Sequence, residues 1–267
     1  MDERIIVHNL PDFETIEIYG VSDAHIGDVK TDEDLFRDFV KFIKAEPNRY
    51  WVYNGDNINN AIKSSVSNTY NEKYPPSKQK DIVCDVLRPI SDKVLAYVPG
   101  NHEERSNKET DCAIVREIAI RLSGEDRGLE LYRENEAVIK VRFGKNDRGH
   151  GANQKPIAYI GLIHHGFGGG SLPASAMNGM YKYIVPFGDI DFSISGHVHK
   201  GLLSGKFARR AIDPHNNRII LKSFCVLING AWADFGGYAA RKGMVPGTKG
   251  AGAVILHNHD KQLNVLI

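Results

Sequence analysis

The sequence predicts an α/β fold whose second half turns to β-structure, and three observations carry that reading. Apolar strand-like runs alternate with amphipathic helical runs through residue 122, strand signals dominate from residue 135, and no repeat, low-complexity tract or Pro/Ser linker divides the chain. The 267 residues suffice for one or two domains. With no linker, residues 1–267 read as a single domain around one core.

Residues 16–22 (IEIYGVS) are a β-branched, apolar run that ends at Asp23. Thr31 with Asp34 three residues on has the form of a capping box, and Leu35, Phe39, Phe42 and Ile43 follow at helical spacing up to Pro47. A second strand covers residues 50–54, and a helix is expected over 57–67. Ile82, Val83 and Leu87 mark a helix over 77–88 that Pro89 stops. A third strand covers 94–98, and Ile114, Ile118 and Leu122 lie on one stripe of a helix over 110–122. Strands are then expected over 137–143, 157–164, 191–195, 219–224, 253–256 and 262–267, with helix signals sparse among them. Glycine-rich stretches at 165–170 and 236–252 read as loops.

Composition excludes several classes of function. Lys and Arg number 34 against 33 Asp and Glu, a net charge of +1, so no chain-wide basic field draws nucleic acid or a membrane surface. Cys84, Cys112 and Cys225 are an odd number at wide spacing, neither a disulfide framework nor a metal knuckle, and predict a reducing compartment. The opening MDERIIVHNLPDFE lacks an apolar run of roughly 7–15 residues, and no segment approaches about 18. A cytoplasmic location without membrane association is therefore expected.

Five segments place Asp, Asn or His just after an apolar strand: Asp23-Ala24-His25, Gly55-Asp56-Asn57-Ile58-Asn59, Gly100-Asn101-His102-Glu103, His164-His165-Gly166 and Gly196-His197-Val198-His199. In an α/β sheet the carboxyl ends of strands open onto one crevice, so these side chains are expected to converge there. Residues two apart in an extended segment point to one side, which pairs Asp23 with His25 and His197 with His199. Glycines before Asp56, Asn101 and His197 permit tight turns or close backbone approach. Carboxylate, imidazole and amide oxygen without thiolate suit Mn²⁺, Fe, Zn²⁺ or Ni²⁺, and the number of donors asks for two ions rather than one. Six of the eleven histidines fall in these blocks, so they are not read as scattered polar residues. His8, His150, His215, His257 and His259 are expected at the surface or in loops.

The ordered pattern DxH, GDxxN, GNHE, HG and GHxH, running from Asp23 to His199, resembles the calcineurin-like metallophosphoesterases, in their small single-domain bacterial and phage form. GHxH alone would arise about 0.04 times by chance in a chain with these Gly and His frequencies, and the five blocks in order far less often. The resemblance implies a four-layer αββα sandwich with two mixed sheets and a dinuclear centre at the strand ends. It implies that Asp23, His25, Asp56 and His199 hold one metal, and that Asp56, Asn101, His197 and one of His164 or His165 hold the other. Strand alternation leaves the last choice open; His165 is favoured because the family commonly has its ligand histidine directly before glycine. His102 is expected to protonate the leaving group, and Glu103 to hydrogen-bond an imidazole.

The activity so implied is hydrolysis of a phosphodiester or phosphomonoester by a water made acidic between two divalent cations, Mn²⁺ first among them. A DNA or RNA nuclease of the same fold is the alternative, and an interaction module without turnover a weaker one. The GDxxDRG form found in protein phosphatases is replaced by GDNINNA, which counts against phosphoprotein substrates. Arg105 is a candidate for binding substrate phosphate. The HGFGGG loop could offer N–H groups to phosphate, and residues 238–246 (YAARKGMVP) could line a groove. Residues 206–210 (KFARR) are the densest basic cluster and the one place where nucleic-acid contact is considered.

Overall fold

The computed structural model describes residues 4–63, 65, 69–145, 156–168, 172–236, 246–259 and 261–267. In chain order its elements are β1 (Ile6–Asn9), β2 (Thr15–Val21), α1 (Glu33–Ala45), β3 (Arg49–Tyr53), α2 (Pro76–Leu87), β4 (Val94–Tyr97), α3 (Asn101–Thr110), α4 (Ile114–Ser123), α5 (Glu125–Leu131), β5 (Glu136–Phe143), β6 (Ile157–His164), α6 (Pro173–Ile184), β7 (Phe192–Ser195), β8 (Leu203–Asp213), β9 (Arg218–Ile228), β10 (Ala253–His257) and β11 (Leu263–Leu266).

Two mixed sheets form. The first runs β11-β10-β2-β3-β4, with β2, β3 and β4 parallel and β10 antiparallel to β2. The second runs β1-β5-β6-β7-β9-β8, with β6, β7 and β9 parallel. Helices α1, α4 and α5 pack on the outer face of the first sheet with α2 against α1 and α4, and α6 packs on β8 and β9 of the second. Ile16 and Ile18 of β2, Ile139 and Val141 of β5, and Leu227 of β9 share one apolar core with Phe36 and Ile43 of α1. A second cluster joins Leu162, Phe224 and Val226 to Ala176, Met180 and Ile184 of α6. These are the four layers αββα. The carboxyl ends of β2, β3, β4, β6 and β7 carry the five sequence blocks.

Several local expectations are corrected. The cap of α1 is Asp32, whose side chain accepts from the Leu35 N–H, and not Thr31. The Thr31 hydroxyl instead donates to the carbonyls of Ala24 (3.0 Å) and His25 (2.7 Å). No helix covers the described residues of 57–67. Asn57 Nδ2 donates to the Val21 carbonyl and Ile58 bridges to Ile26, so side-chain amides and a β-bridge outbid helical bonding. The helix expected over 110–122 begins only at Ile114, as α4, after Asp111 at φ 55° ends α3; Ile114, Ile118 and Leu122 do form the buried stripe of α4.

Helices α3, α5 and α6 and strands β1 and β8 are additions to the sequence reading. The α6 stripe (Ala176, Met180, Ile184) is narrow and partly small, and β8 is an edge strand whose alternate residues are exposed. His8 and His257 lie in strands rather than loops, and the His8 Nε2 faces the Leu95 carbonyl at 2.8 Å. His150 and all but Pro246 of the 238–246 stretch lie outside the described residues.

Candidate metal centre

Each block turns sharply as it leaves its strand. Asp23 (φ 56°), His25 (46°), Asp56 (55°), His197 (72°) and His199 (49°) all have left-handed backbone. Five of the seven donors therefore enter the centre from left-handed backbone, and not through the extended alternation expected from sequence. Such residues cost about 1–3 kcal/mol each and persist only where their surroundings hold them. Here the holding bonds run between blocks: Asp23 N–H to the Gly55 carbonyl, His25 N–H to the Asp56 carbonyl, and Gly196 N–H to the His165 carbonyl.

Glycine has two different uses at these turns. Gly55 has φ 90°, whereas Gly100 and Gly196 make room: a Cβ on either would lie 2.1 Å from an oxygen of Asp56 or Asp23, respectively.

The structure brings the sequence-predicted donors together in two clusters. In one, His199 Nε2 lies 3.0 Å from Asp23 Oδ1 and 3.0 Å from His25 Nε2. In the other, His165 Nε2 lies 3.1 Å from Asp56 Oδ2, 3.2 Å from Asn101 Oδ1 and 3.2 Å from His197 Nδ1. Asp56 also stands with His25 and His102 in a third overlapping group, its ligand atoms all within 4.8 Å of one another. It is thus common to both sides of the centre. Imidazole nitrogens aimed at one another across about 3 Å, beside carboxylates and an amide oxygen, make an arrangement that a divalent cation between them satisfies. The residues fit a metal pair on that ground.

Of the two adjacent histidines, His165 is the one in the cluster. Its Nδ1 faces the Asn54 carbonyl at 2.8 Å, which fixes the ring and leaves Nε2 inward. His164 packs against Phe167 and Tyr183, and its Nδ1 accepts the Gly166 N–H.

His102 is the second residue of α3 and lies beside the donors. Its Nδ1 meets the Asn59 carbonyl at 2.7 Å, and its Nε2 is 3.8 Å from Asp56 Oδ2. Arg105, one turn on, gives Nη1 to the carbonyls of Asn59 (3.2 Å) and Asn60 (3.5 Å). Glu103 does not reach an imidazole, which corrects the sequence reading. Its buried carboxylate instead accepts from the N–H groups of Gly100, Asp56 and Asn57 and from the Tyr53 hydroxyl. It ties the second block to the third.

Residues 206–210 lie along β8, where Arg209 donates to the carbonyls of Phe187 and Ile190 and Lys206 to that of Leu263, so two of the three cations are engaged within the chain. Sequence reasoning missed Trp232. Its N–H donates to the Asp23 carbonyl and its indole N–H to the Ser22 carbonyl, while the ring packs on Phe36 and Phe39. A lone tryptophan far along the chain carries no signal of that position.

Electrostatics separate the donors. Burial pushes the Asp23 carboxyl up, but the bond and charge of His199 and the charge of His165 outweigh it and hold it at about 2. Asp56 is likewise driven well below the usual carboxylate range, against its burial, chiefly by His165 and His102. Burial lowers His165, yet Asp56 overrides it and raises the ring to about 10. His199 is raised by Asp23, also against burial. His25 and His102 are lowered by burial first, then by neighbouring cationic groups; Asp56 opposes this at both. The raised imidazoles of His165 and His199 thus face the two lowered carboxylates, Asp23 and Asp56.

A profile of calcineurin-like phosphoesterases matches residues 17–201, more than half of the chain. Among solved structures, the calcineurin-like phosphoesterase YfkN from Bacillus subtilis is 15% identical, with 94% of this chain and 88% of that one covered at a TM-score of 0.42. GAP50, the anchor in the inner membrane complex of Plasmodium, is 12% identical over 94% and 83%, with a TM-score of 0.49. The Pseudomonas putida nuclease MPE is 14% identical over 93% and 87%, with a TM-score of 0.33. Comparison with curated protein sequences gives no match. Among the described residues no helix is long and apolar enough to cross a membrane. The profile match, over the stretch that carries all five blocks, establishes that the chain belongs to the calcineurin-like phosphoesterase family.

Proposed function

We propose that this protein is a dinuclear metal-dependent phosphoesterase that hydrolyses a phosphodiester or phosphomonoester. The observation that carries the reading is the position of Asp56, which groups with His25 on one side and with His165 and His197 on the other. One carboxylate common to two clusters is what a metal pair needs. Asp23, His25, Asp56 and His199 would hold one cation, and Asp56, Asn101, His165 and His197 the second. Mn²⁺ is the ion we propose, with Fe, Zn²⁺ and Ni²⁺ compatible with the same donors. Two such cations, when bound, supply an acidified water and neutralise phosphate oxygens.

The chain's own side chains do the rest. His102 directs Nε2 towards Asp56 while the Asn59 carbonyl occupies Nδ1, so Nε2 is the atom from which a proton passes to the leaving oxygen. Burial lowers this imidazole in the free site, and the charge of Asp56 opposes that effect, as the negative charge of a bound phosphoester would. Arg105 has donors beyond Nη1 with which to bind a phosphate oxygen. The unpaired Cys84, Cys112 and Cys225 support action in the cytoplasm.

The test is hydrolysis of bis-p-nitrophenyl phosphate and p-nitrophenyl phosphate by chelator-stripped protein before and after reloading with Mn²⁺. Turnover that returns only with metal, at two ions per chain, is expected, and the preferred ester assigns diesterase or monoesterase. No turnover with any divalent metal at full occupancy overturns the reading.

A further inference from the structure

Glu72 belongs to none of the five blocks, yet it stands behind His102. The His102 ring donates from Nδ1 to the Asn59 carbonyl at 2.7 Å. The Asn59 side chain turns the other way, and its Nδ2 donates to Glu72 Oε1 at 2.6 Å. Glu72 Oε2 in turn accepts from Gln79 Nε2 at 2.7 Å. Gln79 is fully buried; its Nε2 also donates to the Tyr74 carbonyl, and its Oε1 accepts the N–H of Asn60. Asn60 Nδ2 closes the circuit on the His102 carbonyl at 2.6 Å.

The peptide between Asn59 and Asn60 is therefore gripped from both ends. Its carbonyl orients the imidazole, its N–H is held by Gln79, and Asn60 sits at φ 44°, where the backbone is strained without support. Glu72 anchors the Asn59 end of this strap. Two amide groups donate to the Glu72 carboxylate, so the site asks for an acceptor at both oxygens.

We propose that Glu72 is a positioning residue for His102, acting through Asn59 to keep one proton on Nδ1, so that the second proton of the imidazolium, on Nε2, is the one given to the leaving oxygen and the Nδ1–H tautomer remains. The proposal rests on the phosphoesterase reading above. It assigns to a residue outside the motifs the job of fixing the tautomer of the proposed acid.

Glu72→Gln is near in shape but turns an amino group on Asn59 or on Gln79. The Glu72→Gln, Asn59→Asp double variant restores one donor to each acceptor. Each protein is loaded with Zn²⁺ and assayed on a phenyl and a p-nitrophenyl ester of the same phosphate. The His102 ring nitrogens are followed by ¹⁵N NMR, with His102→Gln supplying the assignment, and metal content is measured alongside.

The expected result for Glu72→Gln is a loss of about 10- to 100-fold on the phenyl ester, a much smaller loss on the activated ester, unchanged metal content and loss of the Nδ1–H tautomer. The double variant recovers both signals. Equal losses on the two esters, or an unchanged tautomer, overturn the proposal, since a general loosening of the fold does not depend on the leaving group. If the wild type hydrolyses neither ester, the phosphoesterase reading fails, and the tautomer measurement alone then decides whether Glu72 holds His102.

Discussion

The backbone N–H of His197 donates to both carboxylate oxygens of Asp23, at 3.1 and 3.0 Å, and so joins the first motif of the chain to the last. The contact exists because Gly196 has no side chain: a Cβ there would lie 2.1 Å from Asp23 Oδ2 and 2.4 Å from Ser22 Oγ. Gly196→Ala is therefore expected to displace the Asp23 carboxylate and to destabilise the fold by about 1–3 kcal/mol through overpacking. Metal analysis and urea unfolding check this. Full occupancy at wild-type stability would contradict the tight approach.

His102→Ala removes the only group assigned to the leaving oxygen and none of the proposed ligands. Both metals are expected to remain, while turnover of an alkyl phosphoester falls by about 10²- to 10⁴-fold. An ester of p-nitrophenol, whose oxygen needs no proton to depart, is expected to suffer far less. Rates on the two esters, measured with metal content, decide the matter; intact alkyl ester hydrolysis would remove the role.

Glu103→Gln tests the clasp between the second and third blocks. Four donors converge on this buried carboxylate, and an amide turns an N–H₂ group on at least one of them. Burial and the charge of Asp56 push the Glu103 carboxyl up to about 7, and the backbone donors work against that rise. The expected cost is about 1–3 kcal/mol for each donor left unpaired. A lower urea midpoint, with metal affinity reduced because the Asp56 turn loosens, is the predicted result.

The His164 imidazole gives a pH dependence whose sign follows from its surroundings. Burial lowers it to about 4 from an ordinary 6.5, and the charges of His165 and His197 act in the same direction. Between pH 6.5 and 4 the unfolded chain therefore binds a proton that the folded chain refuses, so this group makes stability fall as pH falls through that window. His164→Gln keeps an acceptor for the Gly166 N–H and cannot titrate. Its stability is expected to fall less steeply than that of the wild type from pH 6.5 to 4, as read from urea midpoints; parallel curves would contradict the assignment.

The candidate site was more legible than the fold around it. Asp, Asn and His stand in short ordered blocks after apolar runs, and strand ends are where an α/β sheet gathers side chains, so Asp23, His25, Asp56, Asn101, His197 and His199 could be named before any coordinates. Their geometry could not. Left-handed backbone at His25, His197 and His199 has no signal in residue type, and the choice between His164 and His165 turns on where β6 ends. The partners of Glu103, the place of Trp232 and the strap from Glu72 depend on contacts between distant segments. Helix α6 and strand β8 escaped because one buries a narrow stripe of partly small side chains and the other is an edge strand exposed at every second residue. The helix expected over 57–67 failed because the side chains of Asn57 and Asn60 bond to the backbone carbonyls of Val21 and His102.

The central claim is that Asp56 serves two metal ions at once, and one comparison tests it most directly. Wild type and Asp56→Asn are stripped with chelator, reloaded with Mn²⁺, and measured for bound metal and for hydrolysis of bis-p-nitrophenyl phosphate. The account predicts two ions and metal-dependent turnover in the wild type, with both ions weakened and turnover lost in the variant. A variant that binds two ions with wild-type affinity and turns over normally would contradict it.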